Sequence, residues 1–148
     1  MKDVFDLAMG LMDEVNENSG ETDSTDTREY KTRTPLILQV LRGELYPISD
    51  TYAIATNGKR PICPTLPSFK EDATLGTEIG LDDFICQTIL PYGLAAHLLL
   101  TEDSVAASFF NQRYQELIAK FRSSIPTEFE AIENVYGYGN EHGQYSRW

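Results

Sequence analysis

Apolar residues recur with helical spacing in several stretches of the chain, and polar segments separate these stretches. The first stretch, residues 3–16, predicts a surface helix with one buried stripe, because Val4, Leu7, Leu11 and Val15 share a face that is widened by Phe5, Ala8 and Met12. The next eleven residues, 16–26, read NENSGETDSTD and contain no large apolar side chain. We therefore predict a mobile acidic loop there.

A second helix is predicted to begin after this loop. Asp26 and Glu29 have the spacing of a capping box, in which the two side chains satisfy free backbone N–H groups at the helix start. Helical spacing then continues through an apolar set consisting of Tyr30, Ile37, Val40, Leu41 and Leu45. Pro35 lies inside this pattern and removes one backbone hydrogen bond, so we expect either a kink or two abutting helices.

Residues 47–81 have a different pattern, with four prolines, three glycines and no sustained helical stripe. Asn57-Gly58 is the pair that a two-residue hairpin turn favours, and alternating residues flank it. Pro61 cannot donate a ladder hydrogen bond, so its strand is expected at an edge. We predict a small β-hairpin projection within an otherwise irregular region.

Residues 82–122 predict two helices joined by a short turn. Asp82 and Asp83 suit the start of the first helix, which is apolar around most of its circumference and is therefore expected at the centre of the fold. Pro91 either kinks this helix or begins a new one. A short turn follows, and Thr101 or Asp103 caps the second helix, 104–122. This helix has one apolar side, which consists of Val105, Phe109, Phe110, Tyr114, Leu117, Ile118 and Phe121. So short a turn predicts an antiparallel αα-hairpin.

The C-terminal part offers one more short helix and then a tail. Thr127 and Glu130 form a second capping-box match, and Phe129, Ile132 and Tyr136 give one helix face. Residues 137–148 are glycine-rich and polar, and we expect a flexible tail or an arm that orders on a neighbour. The whole pattern predicts a single domain, 1–148, of mainly α class: a helical bundle with a central antiparallel αα-hairpin and a small β-hairpin projection.

The charge balance narrows the range of partners. The chain carries 23 acidic and 12 basic residues, for a net charge of −11. An acidic surface opposes binding to the phosphate backbone, so we expect no sequence-specific nucleic-acid binding. The first residues lack a signal-peptide pattern, and no run approaches the roughly 20 apolar residues of a membrane span. We therefore expect no signal peptide, no transmembrane segment and no membrane partner.

The residues with reactive side chains do not form a recognisable catalytic or metal-binding pattern. His97 is followed by Glu102 and Asp103, but the second histidine, His142, lies far away in the tail. Cys63 and Cys86 fit no metal spacing, although a first-turn position would lower the thiol pKa of Cys86. We expect no catalytic residues, no cofactor and no metal, so the chain is predicted not to be an enzyme. An enzyme with its site around His97 or Cys86 is the third-ranked hypothesis.

Aromatic and aliphatic residues outside the predicted helical body are the candidate contact residues. Aromatic side chains on projecting elements are typical anchors of protein–protein contacts. The interface residues predicted on this basis are Tyr52, Ile54, Phe69, Tyr136, Tyr138 and Trp148.

The predicted helix pair also resembles a known pattern. Residues 90–117, LPYGLAAHLLLTEDSVAASFFNQRYQEL, are similar to small structural proteins of tailed phages and prophages in the head–tail connector, or adaptor, group. In that group an apolar LPYGLAA-LL helix meets a second helix with A-FFNQRYQEL across an acidic turn.

The resemblance implies a non-enzymatic virion protein that acts between portal and tail. Its partners would be other copies of itself, in a homo-oligomeric ring, and virion proteins such as portal or tail components. Its location would be the virion or the host cytoplasm. The alternative is a cellular helical adaptor or regulator that binds one protein partner as a monomer or dimer.

Overall fold

The structure, a computed structural model, describes residues 1–13, 27–52 and 66–125. This part of the chain is mainly helical and contains no strand, so the predicted α class is confirmed. The four α-helices are α1 (Lys2–Leu11), α2 (Thr27–Leu45), α3 (Leu90–Leu98) and α4 (Ser104–Ser124). A 3-10 turn, Tyr46–Ile48, follows α2, and a π-helical segment, Ile85–Ile89, precedes α3.

Helix α3 lies at the centre of the fold and packs against α1, α2 and α4. Its apolar side chains are buried around most of its circumference, as Leu90, Leu94, Ala95, Ala96 and Leu98 are all at most 6% exposed. This agrees with the central position that its apolar sequence predicts. A helix of this composition needs partners on several sides because no part of its surface is suited to water.

Pro91 lies inside a continuous helical stretch, residues 83–98, and not at the start of a separate helix. It occupies the second position of α3, directly after the π-helical segment. Immediately before it, the Leu90 N–H donates to the carbonyl of Ile85, five residues back. The π-helical hydrogen bond thus ends one residue before Pro91, which has no N–H to continue a regular hydrogen-bond pattern. The restarted helix, with a separate short helix before it, is therefore not seen; a π-helical turn precedes Pro91 within one helical stretch.

Helix α2 is one continuous helix of 19 residues with Pro35 inside it, so the alternative of two abutting helices is wrong. Its buried face includes Tyr30, Leu38, Leu41 and Leu45. Val40 had been predicted on that face but is 59% exposed. Residues 38, 41 and 45 already fill the stripe facing α3, and the helical rotation turns position 40 away from it.

Helix α1 buries only part of the predicted face, namely Val4, Phe5 and Ala8, together with Met9. Leu7 and Leu11 are instead 43% and 37% exposed. Apolar residues make up more than half of this helix. The sequence pattern alone therefore does not determine which of two neighbouring faces points to the core. The contact with α3 selected the face that carries the aromatic ring.

Helix α4 begins at the predicted cap. The Asp103 carboxylate accepts hydrogen bonds from the N–H groups of Val105 (3.1 Å) and Ala106 (3.0 Å). The buried residues of α4 are Ala107, Phe110, Tyr114 and Leu117. Val105 and Phe109, predicted on the buried side, are instead 80% and 62% exposed, because one helix neighbour can cover only part of so wide an apolar arc.

Helices α3 and α4 meet most closely at Gly93. A Cβ atom at this position would lie 2.9 Å from Cε2 of Tyr114 and 3.1 Å from Cδ1 of Leu41. Both distances are shorter than ordinary van der Waals contact, so a glycine is required for this approach. Tyr114 also donates a 3.0 Å hydrogen bond to the Glu44 carboxylate of α2 and so connects the three helices.

Asp82 has a role different from the predicted one. Its carboxylate accepts hydrogen bonds from the Asp50 N–H (2.7 Å), the Thr51 N–H (2.9 Å) and the Thr51 hydroxyl (2.6 Å). It therefore caps the helical turn at residues 50–52 rather than the helix that follows it in sequence.

Several sequence predictions fall outside the described residues. These are the acidic loop at 16–26, the β-hairpin around Asn57-Gly58, the short helix after Thr127 and the tail at 137–148. Tyr52, which the hairpin prediction placed in a strand, is helical and only 3% exposed.

Candidate functional site

A groove of about 460 Å³ lies between α1 and the start of α3. We refer to it as the α1–α3 groove. Its lining consists of Asp6, Leu7, Gly10 and Leu11 from α1 and of Gln87, Thr88, Pro91 and Tyr92 from the π-helical segment and α3.

The apolar part of the groove is formed by side chains that the core leaves uncovered. Leu7 and Leu11 lie one helical turn apart on α1, on the flank of its buried stripe. Gly10, between them, has no atom within 4 Å of a built Cβ, so the wall is open at that point. The two leucines face Pro91 and Tyr92, which form the opposite wall.

An aromatic series extends this surface toward α4. The ring of Tyr92 lies 6.2 Å from that of Phe110, and Phe110 lies 5.6 Å from the exposed ring of Phe109. Apolar side chains are thus continuous from α1 across α3 to α4. Phe110 is itself only 8% exposed, so the side-chain contacts are continuous but the exposed apolar surface is not.

Polar residues lie on both walls of the groove. Gln87 and Thr88 belong to the π-helical segment, where the backbone is wider than in an α-helix, and Asp6 lies on the opposite wall. π-helical turns inside helical proteins are often found at functional positions. An apolar floor with polar groups at the edge suits an amphipathic helix as occupant.

His97 and the carboxylates near it do not form the site that the sequence raised as a possibility. The His97 side chain is exposed, and its backbone carbonyl accepts a 3.4 Å hydrogen bond from Nη2 of Arg33. Glu102 accepts a hydrogen bond from the Tyr30 hydroxyl, and Asp103 caps α4. Each carboxylate therefore serves a structural contact rather than the imidazole.

Cys86 lies in the π-helical segment and is half-buried. Burial raises the pKa of its thiol, and nearby Asp83 and Asp82 add to the shift. The first-turn position was expected to lower this pKa, whereas the pKa is raised, chiefly by burial. The thiol donates a weak 3.7 Å hydrogen bond to the Leu81 carbonyl. This environment suits a packed residue rather than an activated nucleophile.

The described residues contain neither a metal-binding cluster nor a membrane-spanning helix. Within residues 1–13, 27–52 and 66–125, no group of three or more His, Cys, Asp or Glu side chains is arranged to hold a metal ion. In the same ranges, no helix combines the length and apolar character that crossing a membrane requires.

Of the predicted interface residues, two lie in the described part of the chain, and both contact the body. Tyr52 is buried and packs edge-on against Tyr46 with ring centroids 5.3 Å apart, so the expectation that it is exposed is wrong. Phe69 is half-buried, and the guanidinium of Arg42 lies 4.1 Å from its ring centroid. The other four, Ile54, Tyr136, Tyr138 and Trp148, lie outside the described residues.

Large exposed apolar side chains are found instead on the outer faces of α2 and α4. Leu36 and Val40, one turn apart on α2, are 74% and 59% exposed. Val105 and Phe109, one turn apart on α4, are 80% and 62% exposed. The sequence had assigned three of these four residues to buried faces and had left Leu36 unassigned. Their order as i, i+4 pairs was visible in the sequence, but which stripe faced the core was not.

Comparisons of the chain with protein-family models, with curated proteins and with solved structures found no match.

Proposed function

We propose that this chain is a non-enzymatic structural subunit of a tailed phage or prophage, a head–tail connector protein that assembles into a ring between portal and tail. The observation that carries the assembly part of the proposal is the pair of apolar stripes on outward faces, Leu36 with Val40 and Val105 with Phe109. A single subunit leaves these side chains in water, whereas a neighbouring subunit would cover them.

The connector part of the proposal rests on the resemblance of residues 90–117, which span α3 and α4. We propose that these helices form the antiparallel hairpin of that pattern. Three contacts support this arrangement: Phe84 stacks on Phe121 at 5.5 Å, Tyr92 approaches Phe110, and Gly93 lies under Tyr114. The partner residue is 121 for Phe84, and it is 110 and 114 for Tyr92 and Gly93, as an antiparallel arrangement requires.

The charge supports the same role. A net charge of −11 would repel the phosphate backbone of DNA passing through the centre of a ring, so the DNA would not adhere to it. The β-hairpin around Asn57-Gly58 and the tail at 137–148 are proposed as contact elements of the ring subunit, toward portal or tail proteins.

Light scattering of the purified chain over a range of concentrations tests the ring. We expect a discrete mass several times that of one chain, either alone or after addition of a portal protein from the same phage. Leu36→Asp and Phe109→Asp should each reduce this assembly, because each places a charge in an interface. Asn111→Asp, which adds the same charge at another exposed position of α4, is the matched control and should assemble normally.

A chain that remains a monomer or dimer alone and with portal protein would contradict the connector proposal. That result would favour the alternative, a helical adaptor with one protein partner. Normal assembly of both Leu36→Asp and Phe109→Asp would leave the ring in place but would remove these two stripes as its contacts.

A further inference from the structure

The α1–α3 groove is an apolar surface that a short amphipathic helix would cover. Its apolar lining consists of Leu7 and Leu11 on α1 and of Pro91 and Tyr92 on α3. The choice of occupant depends on which segment of polypeptide can reach the groove and carries a matching row of apolar side chains.

The end of α4 lies close to one end of the groove. Phe121, in the last turn of α4, stacks on Phe84 with ring centroids 5.5 Å apart. Phe84 directly precedes the π-helical segment, and that segment supplies Gln87 and Thr88 to the groove lining. A chain that continues beyond Ser124 therefore starts within a few residues of the groove.

The residues that follow α4 have the pattern that the groove requires. Only Ile125 and Pro126 separate the helix end from Thr127, which forms a capping box with Glu130. Phe129, Ile132 and Tyr136 then follow at spacings of three and four, which gives one apolar helical face. A connection of two residues returns a following helix along the one before it.

Length also agrees. Residues 127–136 are ten residues, as is α1, so a helix of this length would be about 15 Å long and would match the wall it lies against. The segment that follows α1 is a poorer candidate. Residues 16–26 contain no large apolar side chain to place between Leu7 and Tyr92.

We propose that residues 127–136 of this chain form a helix whose face of Phe129, Ile132 and Tyr136 occupies the α1–α3 groove of the same subunit. The groove is then an internal docking site for the C-terminal segment, and it directs residues 137–148 away from the body. This assignment does not depend on the connector proposal, because it concerns contacts within one chain.

Disulfide trapping in the full-length chain tests the proposal. With Cys63→Ser and Cys86→Ser as background, Ile132→Cys is combined with Leu7→Cys or with Leu11→Cys and treated with a mild oxidant. We expect an intramolecular disulfide for at least one pair, at a rate independent of protein concentration. The matched control combines Ile132→Cys with Thr32→Cys, an exposed position of α2 outside the proposed subunit contacts, and should form its disulfide at least about tenfold more slowly.

Hydrogen exchange gives an independent measurement in the chain with its native cysteines. The amides of residues 130–136 should exchange slowly, and Ile132→Asp should remove this protection while Tyr138→Asp, outside the apolar face, should not. Disulfides that form only between chains would overturn the proposal in favour of a second copy as the source of the segment. Equal rates for the groove and control pairs, or unprotected amides at 130–136, would overturn docking altogether.

Discussion

The two sides of α3 differ in how closely they are packed. On one side Gly93 lies against Tyr114 and Leu41, at distances that leave no space for a methyl group. On the other side Pro91 and Tyr92 border a groove of about 460 Å³. Both sides are apolar in sequence, so composition does not distinguish a surface that holds the fold together from one that receives another segment. The neighbouring helices make the distinction.

The largest effect is expected from a cavity on the packed side. Leu41 is fully buried, and its Cδ1 lies against Gly93, so Leu41→Ala should lower the free energy of unfolding by about 2–5 kcal/mol. Urea denaturation followed by circular dichroism measures this change. Leu36→Ala, on the exposed face of the same helix, should change stability by no more than about 0.5 kcal/mol. Similar values for the two variants would show that α2 does not pack as described.

A smaller loss is expected when the close approach is overfilled. Gly93→Ala places a Cβ 2.9 Å from the Tyr114 ring, which its hydrogen bond to Glu44 holds in place. The required shift should cost about 1–3 kcal/mol in unfolding free energy. Gly43→Ala is the control, since its Cβ meets no atom within 4 Å, and helix propensity should make it stabilising by up to about 1 kcal/mol. A stabilising Gly93→Ala would argue against the close contact of α3 with α4.

The hydroxyl of Tyr114 should contribute less. Tyr114→Phe removes the hydrogen bond to Glu44, whose exposed carboxylate regains water, so we expect a loss of about 1 kcal/mol. Burial, and then the Glu44 carboxylate, raise the pKa of Tyr114 well above its usual range. In the unfolded chain this phenol ionises near pH 10, before it does so in the folded chain.

Stability should therefore fall as the pH rises above about 10, because the unfolded state releases the proton first. Tyr114→Phe should reduce this alkaline slope, which unfolding measurements between pH 8 and 11 would record. An unchanged slope in the variant would mean that Tyr114 is not the group responsible.

The smallest effect is expected at Cys86, near the groove side. Burial raises the pKa of this thiol, so a smaller fraction is thiolate at pH 8 than in an unfolded chain. Iodoacetamide should modify Cys86 more slowly in the folded Cys63→Ser protein than in the same protein in urea, and the rate should increase as the pH is raised. Equal rates in both states, read by mass spectrometry, would indicate that the π-helical segment opens readily.

Helix content and some helix ends could be predicted because they depend on local interactions. The cap of α4 is one example, since an Asp directly before an apolar periodic stretch satisfies N–H groups within its own turn. The central position of α3 is another, because a segment that is apolar all round has few alternatives to burial. These features require no knowledge of distant residues.

The faces that the helices bury could not be predicted in the same way. Val105 and Phe109 belong to a wide apolar arc on α4, but only the part that includes Phe110 and Tyr114 meets α3. On α1 the core selects Phe5 and Met9, and Leu7 is left to line the groove. Periodicity defines an arc, whereas the packed face within it depends on where the neighbouring helix lies.

The sequence by itself determined that this chain is mainly helical and that residues 90–98 are buried at its centre, because spacing and apolar content act over a few turns. Tertiary structure alone decided the close approach at Gly93, the capping of residues 50 and 51 by the Asp82 carboxylate, and the π-helical turn before Pro91. Each of these depends on residues distant in sequence or on two competing backbone geometries. The groove exists for the same reason, since it is the space that remains after three helices have packed on α3.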